Sequence, residues 1–64
     1  MLNSFSTDNV ALIFLEASQK EANQLRERAL EYILKNFDEV SKTKGFEKLA
    51  RENVELALEI LKKR

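Results

Sequence analysis

The 64-residue chain contains no cysteine, no histidine and no proline, and it has a single glycine. Without cysteine and histidine, a zinc site lacks its usual ligands, and a cysteine or histidine nucleophile is excluded. The absence of cysteine also excludes a disulfide scaffold and is consistent with a reducing, intracellular compartment. We therefore predict a protein that holds no metal.

Carboxylates remain as groups that could perform acid–base catalysis. They do so only where burial or crowding by like charges moves their pKa values toward neutrality. Glu27 and Glu31, like Glu55 and Glu59, are four residues apart among lysines and arginines, which is typical of solvated helix faces. Gly45 alone cannot form a phosphate-binding loop, which needs several converging backbone amides. We predict that the protein is not an enzyme and binds no cofactor.

The chain has no net charge, because eleven basic residues balance eleven acidic ones. A nucleic-acid-binding domain normally has a basic excess that displaces counterions from phosphates. The only basic run, residues 62–64, ends the last predicted helix, where it also complements the helix dipole. A small helix-turn-helix DNA-binding domain is further disfavoured because helix 2 carries Glu21, Glu27 and Glu31. No nucleic-acid partner is expected.

Long apolar runs are also absent. The longest, residues 10–15, has six residues, whereas a bilayer-spanning helix needs about 20. No basic segment precedes this run, so it does not resemble a signal peptide. We expect a soluble protein of the cytoplasm or nucleus that has no membrane partner.

What the chain does contain is helical periodicity. Alanine, leucine, glutamate, lysine and arginine make up more than half of its residues, which is typical of helical proteins. Residues 1–6 are predicted to be a flexible leader, and residues 7–64 one domain. The expected fold is a small all-α bundle, in which an antiparallel helix hairpin is followed by two or three shorter helices. The predicted helices and turns are 8–18, 21–36, 38–42, 46–50 and 52–63.

Short polar segments separate these helices. Ser18 and Glu21 have the spacing of a capping box at the start of helix 2. Asn36 and Asp38 can cap the backbone groups left free between helices 2 and 3. Gly45 is predicted to lie at φ > 0, as a helix C′ residue. Six apolar residues are expected to share one core: Leu25, Ile33, Phe37, Val40, Phe46 and Leu49.

Helix 1 is more apolar than one face of a hairpin requires. Seven of the eight residues from 10 to 17 are apolar. An apolar surplus of this kind can be absorbed by core packing, or it can mark a protein–protein surface. Both interpretations remain open. The candidate partner-binding residues are Leu12, Phe14, Leu15 and Ser18.

The segment from residue 36 to residue 49 has a more specific pattern. It reads Asn-Phe-x-x-Val-x-x-Thr-x-x-Phe-x-x-Leu, and the upstream chain supplies helical apolar positions at suitable spacing. Over residues 7–61, the chain resembles the BACK domain, the helical segment that follows BTB/POZ domains and is called the three-box in its short form. The upstream positions that carry the resemblance are Asn9, Val10, Leu15, Ala17, Ala22, Leu25, Leu30 and Ile33.

The resemblance implies a non-enzymatic interaction module. In that family, the helical hairpin extends the surface of a preceding BTB domain, and the two together form a groove for the N-terminal region of cullin-3. The parent protein is then a substrate adaptor of a ubiquitin ligase. No BTB domain precedes Asp8 in this chain. Binding of cullin-3 by this chain alone is therefore not implied.

A different class of function is a self-associating structural bundle, natural or designed, that has no role in ubiquitin transfer. Such a homodimer would bury helix 1 or the last helix, residues 52–63, across a two-fold axis. Sedimentation or light scattering distinguishes this alternative from a monomeric adaptor module.

Overall fold

The computed structural model describes residues 5–63, and within them the chain forms five helices and no strands. The all-α prediction is confirmed. Four of the helices begin and end within about two residues of the predicted bounds, but the predicted turn at 46–50 is a full nine-residue helix. In chain order, the helices are α1 (Val10–Gln19), α2 (Asn23–Lys35), α3 (Phe37–Val40), α4 (Lys44–Glu52) and α5 (Val54–Lys63).

A reciprocal pair of hydrogen bonds starts α1. The Asn9 N–H donates to Ser6 Oγ at 3.3 Å, and Asn9 Oδ1 accepts from the Ser6 N–H at 2.9 Å. This is the arrangement of a capping box, here with asparagine in the third position. Phe5 is half-buried, and its ring lies 5.8 Å from the ring of Tyr32 in α2. Of the predicted leader, residues 1–4 lie outside the described residues.

The turn between α1 and α2 depends on a residue in the left-handed region. Glu21 has φ 57°, the one positive φ at a non-glycine residue in the described chain. The Ala22 N–H donates to the Ala17 carbonyl at 2.9 Å, and the Glu21 N–H donates to the Ser18 carbonyl at 3.4 Å. These two bonds form a Schellman motif. The predicted capping box of Ser18 and Glu21 is wrong, because Ser18 belongs to α1 and the residue that precedes α2 is Ala22, which provides no side-chain cap.

Helices α1 and α2 form the predicted antiparallel hairpin. Ser18 contacts Arg26 close to the connecting turn, whereas Phe5 contacts Tyr32 far from it. The two helices therefore run in opposite directions.

Thr43 connects α3 to α4. Its hydroxyl donates to the Val40 carbonyl at 2.7 Å and accepts from the Phe46 N–H at 3.2 Å, so one side chain closes one helix and caps the next. Asn36 does not cap α3. Its side-chain amide donates to the Tyr32 carbonyl at 3.1 Å and so satisfies the end of α2. Asn53 starts α5 in the same way as Thr43 starts α4, with Oδ1 accepting from the Leu56 N–H.

Gly45 lies inside the first turn of α4, not after the end of a helix. The prediction of a positive φ at this glycine is wrong. Its small size is needed for a different reason, since a Cβ atom here would lie 2.7 Å from the backbone oxygen of Asp8. Helix α4 therefore packs against the start of α1 at a distance that only glycine allows.

The core surrounds α1, which packs against both α2 and α4. Phe37 and Phe46 contact each other edge to face, with ring centroids 5.8 Å apart, and both are half-buried against the core. Leu25 was expected in the core, but it is only half-buried and lines an open groove. The largest fully buried side chains are Phe14, Ile33, Leu49, Ile60, Val10 and Val40.

The close approach at Gly45 predicts that alanine is unfavourable there. Gly45→Ala should lower the free energy of unfolding by about 1 kcal/mol, because the clash with Asp8 exceeds alanine's helix preference of about 1 kcal/mol. Lys44→Ala, at the exposed neighbouring position, should change it by less than about 0.5 kcal/mol. Urea denaturation of both variants measures the difference. A Gly45→Ala protein more stable than the parent would show that the helices are not so close.

Glu21 should be replaceable by glycine with a gain in stability. Removal of its Cβ relieves the steric strain of the left-handed conformation. Glu21→Gly should therefore raise the free energy of unfolding by about 0.5–1 kcal/mol. Lys20→Gly is the matched control, because Lys20 has φ −97° and gains nothing from glycine. The control should destabilise the domain by roughly 0.5–1 kcal/mol. Equal effects of the two substitutions would contradict the assigned turn.

Candidate interaction surfaces

The functional candidates in the described chain are its exposed surfaces. Among residues 5–63, no group of three or more carboxylate, cysteine or histidine side chains could hold a metal ion. Every charged or polar residue in this range is at least partly accessible. None of the helices within residues 5–63 has the length and apolar character of a membrane span. The folded domain presents these exposed side chains to other macromolecules.

Arg26 organises the largest set of polar contacts. Its Nε donates to Ser18 Oγ at 3.1 Å, and its Nη2 pairs with the Glu59 carboxylate on α5. Its guanidinium carbon also lies 5.1 Å from the centre of the Phe14 ring, a distance at which the cation is attracted to the ring face. We call Arg26, Ser18, Glu59 and Phe14 the Arg26 cluster. It connects α1, α2 and α5.

The Arg26–Glu59 pair differs from the other ion pairs of the described chain. Its side chains are 24% and 31% exposed, and it joins residues that are far apart in sequence. The others, such as Lys20–Glu16 at 3.2 Å and Arg51–Glu47 at 3.3 Å, join residues four positions apart in sequence and are largely exposed. Exposed pairs of that kind contribute little to stability. Glu59 was expected on a solvated face, and its contact with Arg26 was not predicted.

The four predicted partner-binding residues do not form one surface. Phe14 is fully buried and Leu15 is 6% exposed, so both belong to the core and are not available to a partner. Ser18 is half-buried and accepts the hydrogen bond from Arg26. Only Leu12, at 39% exposure, presents a large apolar side chain to solvent. Helices α2 and α4 pack against α1 and shield the other side chains from solvent.

Leu12 shares its helix face with Glu16 and Gln19. These residues lie four and seven positions further along α1, and both are exposed. The γ-carbon of Leu12 would lie 3.7 Å from a Cβ at position 45, so this face begins beside the contact between α1 and α4. We call Leu12, Glu16 and Gln19 the α1 face.

A second apolar surface lies on α5. Val54, Leu58 and Leu61 are 59%, 48% and 47% exposed, more than any other large apolar side chain of residues 5–63. Their spacing places them on one face of the helix, and we call them the α5 stripe. The sequence pattern places Leu56 and Ile60 on a different apolar face of the same helix. Sequence reasoning did not select it, because the pattern does not reveal which of the two faces meets the core.

Comparison with known proteins identifies a family. The family model described as BACK, "BTB And C-terminal Kelch", matches residues 10–62, from the first residue of α1 to the last turn of α5. No curated protein and no solved structure matches the chain significantly. The matched range contains the whole of the Asn-Phe-x-x-Val-x-x-Thr-x-x-Phe-x-x-Leu pattern.

The Arg26 cluster predicts a large difference between two neighbouring arginines. Arg26→Ala should lower the free energy of unfolding by about 2 kcal/mol, since it removes the contact with Phe14 and two charge-assisted hydrogen bonds. Arg28→Ala is the matched control, because Arg28 is exposed on the same helix, and it should change stability by less than about 0.5 kcal/mol. Chemical denaturation of both variants tests this. Similar values for the two would show that the cluster does not stabilise the fold.

Proposed function

Because the chain belongs to the BACK family of non-catalytic, BTB-associated interaction modules, we propose that it extends a BTB-type substrate adaptor of a cullin-3 ubiquitin ligase. The observation that carries the proposal is the family match over residues 10–62, which includes all five helices almost completely. The resemblance inferred from the sequence is thereby confirmed at the level of the family. The role in cullin-3 binding goes beyond the family match and is our proposal.

The α1 face is the part of the domain that we assign to this contact. It presents one large apolar side chain, Leu12, together with the polar side chains of Glu16 and Gln19. Protein interfaces commonly combine an apolar centre with a polar rim of this kind. The helix beneath is held rigidly, because Phe14 and Leu15 anchor it in the core and Arg26 binds its last turn. A fixed α1 face can continue the surface of a BTB domain without reordering on binding.

The proposed partners are therefore the N-terminal region of cullin-3 and a BTB domain. The domain itself needs no cofactor in this role, since it contributes contact area and orientation. The site of action would be the cytoplasm or nucleus, where cullin-based ligases act. Because the α1 face is small, the domain would add to an interface made mainly by the BTB domain.

The proposal is tested by measuring how tightly the N-terminal region of cullin-3 binds a full-length, BTB-containing protein that carries this domain. Leu12→Glu should weaken binding of the cullin-3 N-terminal region by about tenfold or more, because it places a charge at the apolar centre of the contact. Isothermal titration calorimetry measures the affinity, and circular dichroism verifies that the helices are intact. Glu16→Lys, on the same face, is a second variant that does not disturb the apolar packing.

Leu58→Glu is the matched control for this experiment. It makes the same change at a similarly exposed leucine, but on α5 instead of α1. We expect it to leave cullin-3 affinity unchanged. Parent-like affinity in both Leu12→Glu and Glu16→Lys would overturn the assignment of the α1 face. Absence of cullin-3 binding by the unmodified full-length protein would overturn the proposed function itself.

A further inference from the structure

The α5 stripe is an apolar surface that the described chain leaves uncovered. Val54, Leu58 and Leu61 lie about one turn apart along the helix, and about half of each side chain is exposed. The opposite side of α5 is anchored by Leu56 and Ile60, which are buried in the core. The stripe is therefore held in place and pointed outward by the fold.

The two edges of the stripe differ in character. Ala57 borders the stripe on one side and is buried against the rest of the domain. Glu55 and Lys62 form the other edge, and both are exposed. Within residues 5–63, neither of them takes part in an ion pair. Glu59, which could have paired with a nearby lysine, is instead bound to Arg26.

The order of these charges makes the edge complementary to itself. Glu55 and Lys62 are seven positions apart, which corresponds to two helical turns or about 10 Å. Leu58 lies near the midpoint between them. When a second α5 runs antiparallel across a two-fold axis near Leu58, Glu55 of each copy lies opposite Lys62 of the other. The same axis places the two stripes against each other.

We propose that the chain self-associates through the α5 stripe, as an antiparallel pair of α5 helices flanked by two Glu55–Lys62 contacts between copies. The partner is a second copy of this chain, because it supplies both the apolar stripe and the reversed order of charge. This surface is separate from the α1 face, so the proposal does not depend on the cullin-3 role.

The size of the stripe sets the strength of the association. The three exposed side chains amount to roughly 300 Å² of apolar surface per copy, whereas a standard stable interface buries about 800 Å² per partner. We therefore expect a weak dimer, with a dissociation constant on the order of 1 mM. Such a dimer forms only at high concentration, or where another contact already holds two copies together.

Nuclear magnetic resonance of the 64-residue chain tests the proposal directly. From about 20 µM to about 2 mM protein, the rotational correlation time should rise toward that of a dimer, and the amide shifts of α5 should change most. Leu58→Gln should abolish the rise. Leu12→Gln is the matched control, because it makes the same change at an exposed leucine of α1, and it should leave the rise intact. Circular dichroism verifies that both variants are folded.

A charge-reversal experiment tests the antiparallel arrangement without changing the apolar stripe. Glu55→Lys and Lys62→Glu should each weaken self-association about fivefold, since like charges then face each other twice. An equimolar mixture of the two variants should associate at least as tightly as the parent, because each Glu55→Lys edge then faces a Lys62→Glu edge of opposite charge.

Three results would overturn the proposal. The first is a chain that stays monomeric at about 2 mM, which would mean that something other than a second copy covers the stripe. The second is an association that Leu12→Gln removes and Leu58→Gln does not, which would place the contact on α1. The third is a mixture of the charge variants that associates no better than either variant alone, which would exclude the antiparallel pairing.

Discussion

Arg26 connects three helices through one side chain, and the arrangement of the bundle depends on it. Its guanidinium lies over Phe14 in the centre of α1, donates to Ser18 at the end of α1 and pairs with Glu59 of α5. A domain of this size buries a modest apolar area, and this one has no disulfide to hold its ends. The half-buried position of the pair increases its strength relative to the exposed pairs within single helices. The cluster holds α5 against the hairpin, with Leu56 and Ile60 on the buried side of the helix.

The other end of α1 is held by close backbone packing. Gly45 brings the first turn of α4 against the carbonyl of Asp8, and Thr43 fixes the direction from which α4 arrives. Phe37 and Phe46 then meet edge to face beside the core. The conspicuous sequence pattern of residues 36–49 therefore describes one structural unit, in which a short helix, a double cap and a tight helix contact follow each other.

These two constraints also explain which faces of α1 and α5 are exposed. Helix α1 is covered by α2 on one side and α4 on another, which leaves the line of Leu12, Glu16 and Gln19 exposed. Helix α5 packs mainly against α4 and α2, and its second apolar face stays exposed. The two surfaces belong to different helices and differ in chemistry. One is mainly polar around a single leucine, and the other is an apolar stripe with a charged edge.

The sequence by itself determined the helical class, the approximate bounds of the helices, and the family, because periodicity, capping residues and the run from Asn36 to Leu49 are local properties of the chain. It also indicated that helix 1 carries more apolar surface than one face of a hairpin needs. The tertiary structure alone decided which residues face outward, since Leu12, Phe14 and Leu15 are chemically alike and differ only in what packs over them. It likewise decided the role of Gly45, whose neighbour Asp8 is distant in sequence, and the pairing of Arg26 with Glu59. Contacts between residues far apart in the chain leave no local pattern, and they determine which parts of this domain can meet a partner.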